Sequence, residues 1–174
     1  MIASIQNRLA RLSRTSALAI GLAAAAVLVT GTLGLAHAAN TTNCAKGKTA
    51  VQSSTSDGGA ASRAVDGNKD GVFFNFSVTS TAAEVNPWWS VDLGIAQLIS
   101  HVTLYNRIDC CGDRLNSFVV SISTDNTNWT TCYTNKAVVG TSTDVACVGK
   151  ARYVKISLAG STAQTLSLAE VMIF

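Results

Sequence analysis

The chain has 174 residues, with 13 Lys+Arg against 10 Asp+Glu for a formal net charge of +3, and it holds two histidines and five cysteines. The positive excess comes from Arg8, Arg11 and Arg14 alone; without those three, thirteen basic residues become ten, against ten acidic ones. A balanced remainder excludes a nucleic-acid partner on charge grounds, and two histidines leave little room for histidine-based catalysis.

Residues 1–38 read as a signal peptide. The three arginines form a basic leader, Ala17 to Leu35 is mostly apolar, and Ala36-His37-Ala38 is a small-x-small cleavage site. A retained membrane anchor is the weaker reading, because Gly21, Thr30, Gly31, Thr32 and Gly34 interrupt the run and the cleavage site follows at once. No second apolar run of spanning length follows, so the mature chain is expected to carry no membrane span. Taking 38 from 174 leaves 136 residues, 39–174, a normal size for one domain. His37 goes with the signal, so a Ser-His-Asp or histidine-rich zinc site would have to use His101. That residue stands beside Val102 in a strand-like run and reads as structural. No enzyme activity is expected.

Regular structure past the signal reads as strands. Trp88-Trp89 leads into Ser90-Val91-Asp92-Leu93, and Val102 to Tyr105 forms another apolar run. Phe118, Val120 and Ile122 alternate with Val119, Ser121 and Ser123, as Val154, Ile156 and Leu158 do with Lys155 and Ser157. Leu166, Leu168 and Val171 approach the same pattern. Gly, Asn, Ser and Thr fill the intervals with no helical period, which predicts an all-β sandwich. One indole of Trp88-Trp89 should face the core and the other the opposite side. With Trp129, these residues read as packing residues rather than ligand platforms.

The densest polar chemistry is Asn106-Arg107-Ile108-Asp109-Cys110-Cys111-Gly112-Asp113-Arg114, set between two apolar runs. Such a segment reads as a binding loop at the edge of a sheet. Two planar guanidinium forks donate several hydrogen bonds each. A Cys110–Cys111 bond would make a tight, stiff ring with a flat sulfur face, since adjacent Cα atoms lie closer than the usual disulfide span. Forks around such a platform suit a sugar, with its apolar patch and rim of hydroxyls. In the alternative reading, Arg107 and Arg114 merely pair with Asp109 and Asp113, and the cysteines bridge elsewhere. The five cysteines Cys44, Cys110, Cys111, Cys132 and Cys147 fit an oxidising compartment; with one free, the other four allow three connectivities.

From about Asn43 to Phe174 the chain resembles the F-type lectins (fucolectins) of the discoidin, or coagulation-factor C-type, superfamily. The resemblance rests on Gly47-Lys48 with Gln52-Ser53-Ser54, on Ala64-Val65-Asp66-Gly67-Asn68, on Asn86-Pro87-Trp88-Trp89 with Val91-Asp92-Leu93-Gly94, and on the arginine–cysteine loop. It implies a discoidin-like jelly roll with bridges Cys110–Cys111 and Cys132–Cys147, leaving Cys44 unpaired or available to another chain. The fucose motif of that family is a histidine, an arginine at a fixed distance, an aspartate and a second basic residue. Arg107, Asp109 and Arg114 match its latter part. The histidine position falls on Ser80, within Ser77-Val78-Thr79-Ser80-Thr81. A serine hydroxyl is too short to replace an imidazole, and one lost hydrogen bond costs on the order of 1–3 kcal/mol. Fucose binding is therefore expected to be weak or redirected. Phe73 and Phe74 should border the sugar, with simple loop packing as the alternative.

The resemblance also implies a structural calcium held by oxygen donors of Asp66, Asn68, Ser77 and Glu170, with the Arg63 carbonyl as an addition. Otherwise these residues form an ordinary turn and a surface glutamate. A further disulfide of the family is absent, its two positions being Val78 and Ala169. The expected function is a secreted carbohydrate-binding lectin taking glycans, fucosylated ones among them. The alternative is a discoidin-like adhesion module for protein or membrane-surface ligands, with Phe73, Phe74 and Phe76 as apolar spikes. A homo-oligomer would suit a single weak site, through multivalency.

Overall fold

Alternation of apolar and polar residues produces six strands in the computed structural model, which describes residues 41–174. They are β1 (Thr49–Gln52), β2 (Trp88–Tyr105), β3 (Phe118–Ser123), β4 (Thr130–Thr134), β5 (Ser142–Leu158) and β6 (Glu170–Ile173). The signal-peptide assignment, residues 1–38, lies outside the described residues. No described residue is α-helical; three 3-10 turns, Ala61–Val65, Phe73–Asn75 and Gly112–Leu115, punctuate the loops. The hydrogen-bonded order is β1-β2-β5-β3-β4, with β6 beside β2, and every pairing is antiparallel. The expected all-β sandwich is borne out.

The two long strands make the layers. Near its start, β2 pairs with β1 and with the end of β5, which also carries β3; Val102–Tyr105 of β2 pairs instead with β6 and the start of β5. Register shifts between Asp92 and Gln97, and between Ile99 and His101, separate these halves. Gly94, at φ 89°, supplies the left-handed conformation at the first shift. Ser90–Leu93 and Val102–Tyr105 read as separate strands in the sequence. Bulges let one strand bend between layers without ending, so the structure joins them.

Between the layers lie Trp89, Leu93, Leu104, Leu115, Phe118, Ile156 and Leu158, all fully buried. Each aliphatic or Phe side chain so buried contributes about 1.5–3 kcal/mol over exposure. Trp89 also donates its indole N–H to the Ala61 carbonyl at 2.9 Å. The Trp pair splits as expected, Trp89 inward and Trp88 half-buried on the other side.

The stretch Leu166–Leu168 departs from the expected strand. Thr79 and Thr81 donate their amides to the Leu168 and Leu166 carbonyls. The return bonds go from the Leu168 and Leu166 amides to the hydroxyls Thr79 Oγ1 and Thr81 Oγ1, at 3.0 and 2.9 Å. A side-chain oxygen standing in for a backbone carbonyl keeps the seam out of a regular ladder.

Both disulfides implied by the resemblance are present. Cys132–Cys147 ties β4 to β5, and Cys110–Cys111 closes on itself. Cys44 is the free thiol among the described residues and donates to the Ile173 carbonyl at 3.1 Å. Beside it, Asn43 Oδ1 accepts from the Ile173 amide at 3.0 Å. His101 is structural: its ring stacks on Phe174 with centroids 4.5 Å apart.

Candidate carbohydrate-binding site

The loop that leaves β2 is held by a buried asparagine. Asn106, 2 % exposed, donates its side-chain amide to the Gly112 and Gly140 carbonyls at 2.8 and 3.2 Å, and its Oδ1 accepts from the Arg107 amide. The Ile108 amide donates to the Gly71 carbonyl, so the Phe73 loop and the arginine loop are stitched together. At the far end, Leu115 is sunk in the core and fixes the 3-10 turn that carries Arg114.

Arg107 is clamped from two sides. Its Nε and Nη2 donate to the two oxygens of Asp109 at 2.7 and 3.1 Å, and its guanidinium carbon lies 4.5 Å from the centre of the Phe73 ring. The Arg107 hydrogen bond is the chief reason the Asp109 carboxyl is held below its usual range. Up to three N–H groups of the fork remain for a ligand. The alternative reading of the arginines is therefore half met. Arg107 does pair with Asp109, whereas among the described residues Arg114 has no ion pair and donates from Nη1 to Ser167 Oγ at 3.4 Å. The vicinal disulfide separates them on the surface, Cys110 exposed and Cys111 half-buried with φ 58°. Beside Arg114 opens a depression of about 320 Å³ that also takes in Asp113, Ser117, Gln164 and Thr165.

Phe73 and Phe74 part company. Phe73 lies under Arg107, while Phe74 is 77 % exposed and meets Phe73 edge-on at 6.0 Å. Arg63 turns its guanidinium to the Val78 carbonyl at 3.0 Å and near the rings of Phe73 and Phe76. Ser80 is 3 % exposed, with its hydroxyl donating to the Thr81 carbonyl at 3.3 Å. The bonds from Thr79 and Thr81 bracket Ser80 against Ser167, the acceptor of Arg114. Sequence reasoning placed Asn106 in the loop without its anchoring role, and missed the Arg63–Phe73 contact. A lone polar residue ending an apolar strand was the available signal for Asn106.

Of the expected calcium ligands, Asp66 lies close enough to Glu170 for its charge to act on that carboxylate. That carboxylate is fully buried, and neither oxygen has a hydrogen-bond partner of good geometry. Burial, with the nearby Asp66 charge adding to it, pushes its pKa up to about 7 despite opposing help from the Gly67 amide, Lys46 and Lys69. Asp66 accepts from the Asn68 amide at 2.7 Å, Asn68 from the Asp70 amide at 3.1 Å, and Ser77 donates to the Val72 carbonyl at 2.9 Å. Among the described residues no three His, Cys, Asp or Glu side chains gather. The expected set would comprise two carboxylates with amide, hydroxyl and carbonyl oxygens, donors of the kind a hard divalent cation takes. An orphaned buried carboxylate fits that role.

The family model of the NedA-like, galactose-binding domain matches residues 63–156. The fucolectin of Anguilla anguilla is 45 % identical over 62 residues, covering 36 % of this chain and 39 % of that protein. The chain thus spans about two-fifths of the length of that curated relative. The solved lectin domain of lectinolysin, complexed with Lewis B antigen, is 41 % identical at a TM-score of 0.70, covering 77 % of this chain and 96 % of that one. A fucose binding module of Streptococcus pneumoniae is 37 % identical at a TM-score of 0.72, covering 76 % and 94 %. These are lectins and binding modules, which bears out the expectation of a non-enzymatic protein. Model match and near-complete alignment with whole lectin domains agree, and the chain belongs to the F-type lectins of the galactose-binding-domain-like, discoidin fold.

Proposed function

We propose that the chain is a secreted lectin whose Arg107–Arg114 loop binds a fucose-type sugar. The observation that carries this reading is the Arg107 fork, locked by Asp109 and backed by the Phe73 ring, with Arg114 presented from the same loop. A pre-set fork loses little freedom on binding, and hydrogen bonds to a charged donor are worth about 1.5–3 kcal/mol. The relatives point the same way, being fucolectins and a fucose binding module. Ser80 stands where the family has a histidine, so affinity for plain fucose is low or redirected to another hydroxyl arrangement. A calcium ion held by Glu170, Asp66, Asn68, Ser77 and the Arg63 carbonyl braces the loop below the site. Residues 1–38 direct export, and no described helix is long and apolar enough to cross a membrane.

The test is a glycan array with the purified protein and its Arg107→Ala and Arg114→Ala variants. Loss of binding in both, with thermal unfolding unchanged, is the expected result; unaltered binding would reject the site. A second reading, adhesion to membrane surfaces, draws on Phe74 and Phe76, which are 77 % and 75 % exposed beside the loop. Sedimentation with liposomes, lost on Phe74→Ser, would favour it.

A further inference from the structure

The outer face of the sheet carries a second cluster that has no part in the arginine loop. Strand alternation turns Trp89, Val91, Val154 and Ile156 into the core and leaves Trp88 and Lys155 on the opposite face. There Lys155 sits between Ser90 and Ser121 in the cross-strand row. Trp129, just before β4, closes the cluster: the Lys155 ammonium lies 4.0 Å from the centre of its ring. Both indoles are half-buried and line one depression of about 240 Å³, rimmed by Ser90 and Asn126. A second hollow of about 280 Å³ adjoins it and shares Trp88 and Lys155.

Three features of this cluster point to a ligand. Two indoles line one hollow, and an indole takes the C–H side of a pyranose ring as it takes any flat apolar group. The hollow is too small for a large ligand and of a size for a single ring. Third, the cation is unneutralised. The described ion pairs are Arg107–Asp109 and Arg152–Asp92, and Lys155 is in neither. The carboxylate in the loop before Trp129, Asp125, is already committed to the amides of Thr127 and Asn128 and to the Asn128 side chain. Partial burial pushes the Lys155 pKa down, the mark of a charge short of water and of a counter-ion.

We propose that Trp88, Trp129 and Lys155 form a second saccharide site, selective for an acidic pyranose of the uronic-acid class. The ring lies against an indole and its carboxylate meets the Lys155 ammonium, with Ser90 and Asn126 able to bond ring hydroxyls. The site shares no residue with the Arg107–Arg114 loop, so it stands or falls separately from the fucose-type reading. In the plainer account, the lysine stem only shields two surface indoles.

The experiment is an NMR titration of the whole protein with glucuronic acid, glucose and acetate, followed at the indole N–H signals. Saturable shifts of the Trp88 and Trp129 signals with glucuronic acid in the millimolar range are expected, with glucose and acetate at least about tenfold weaker. Lys155→Gln should lose about tenfold in glucuronic acid affinity with its melting temperature kept, and Arg107→Ala should lose none. Trp129→Ala should lose the Trp88 response; if that variant fails to fold, Lys155→Gln decides alone. No saturable shift, equal response to glucose, full affinity in Lys155→Gln, or loss in Arg107→Ala would each overturn the proposal.

Discussion

Arg107 and Phe73 come from loops 34 positions apart in sequence, yet the guanidinium carbon of one lies 4.5 Å from the ring centre of the other. Asp109 holds the same guanidinium from the side through two hydrogen bonds. Asp109→Asn keeps the shape but removes the charge-assisted fork. Glycan affinity should fall by about 1–3 kcal/mol while the melting temperature holds, measured by calorimetry and thermal unfolding. Phe73→Ala should cost affinity by about 0.5–2 kcal/mol. Unchanged affinity in both variants would mean the clamp is only structural.

Ser80→His tests the redirected pocket. The residue is buried, and Gly59 packs against its backbone and Cβ, so the new imidazole finds no room on that side. Fucose affinity should rise by about 1–3 kcal/mol, and the rise should vanish in the Arg107→Ala background. A folded Ser80→His protein with no gain would show that the pocket has diverged beyond this residue.

Glu170 ties the stability of the fold to pH. Its carboxyl is pushed up to about 7 from an ordinary value of 4.5. Between those values the native state binds more protons than the unfolded chain, so stability without metal falls as pH rises. The full loss, on the order of 3 kcal/mol, is reached above the native pKa. Calcium should offset the buried charge, raise the melting temperature most at alkaline pH and flatten the slope. Glu170→Gln should abolish both the slope and the calcium response. Identical melting curves in chelator and in calcium across this range would remove the metal.

The two disulfides should separate stability from binding. Cys132–Cys147 spans 15 positions, and replacing both cysteines by serine should cost about 3 kcal/mol in denaturant unfolding. Cys110–Cys111 closes no loop of length, so its double serine variant should unfold nearly as before yet bind glycan more weakly. The reverse pattern would make the vicinal pair a structural staple instead.

What was legible in the sequence is what depends on local chemistry. Phe118 to Ile122 and Val154 to Leu158 announce their strands because each buries alternate residues against the same core. The arginine–cysteine loop stands out because so much polarity between apolar runs has no other place to go. Less legible were features that need a distant partner. The bends in β2 depend on its pairing with β5, and the Leu166–Leu168 seam depends on two threonine hydroxyls about 85 positions earlier. Likewise, the approach of Lys155 to Trp129 was not legible, because no local pattern shows which residues meet across a sheet face.

The bonds from Cys44 and Asn43 to Ile173 lay the first and last segments of the domain side by side. The two ends of the described sandwich are thus fastened to each other by hydrogen bonds. Joining those ends with a short linker and cutting an exposed turn, such as that around Thr127, would leave every strand pairing in place. The same adjacency makes the fold a unit that slots into a host chain without prising the host's flanking segments apart.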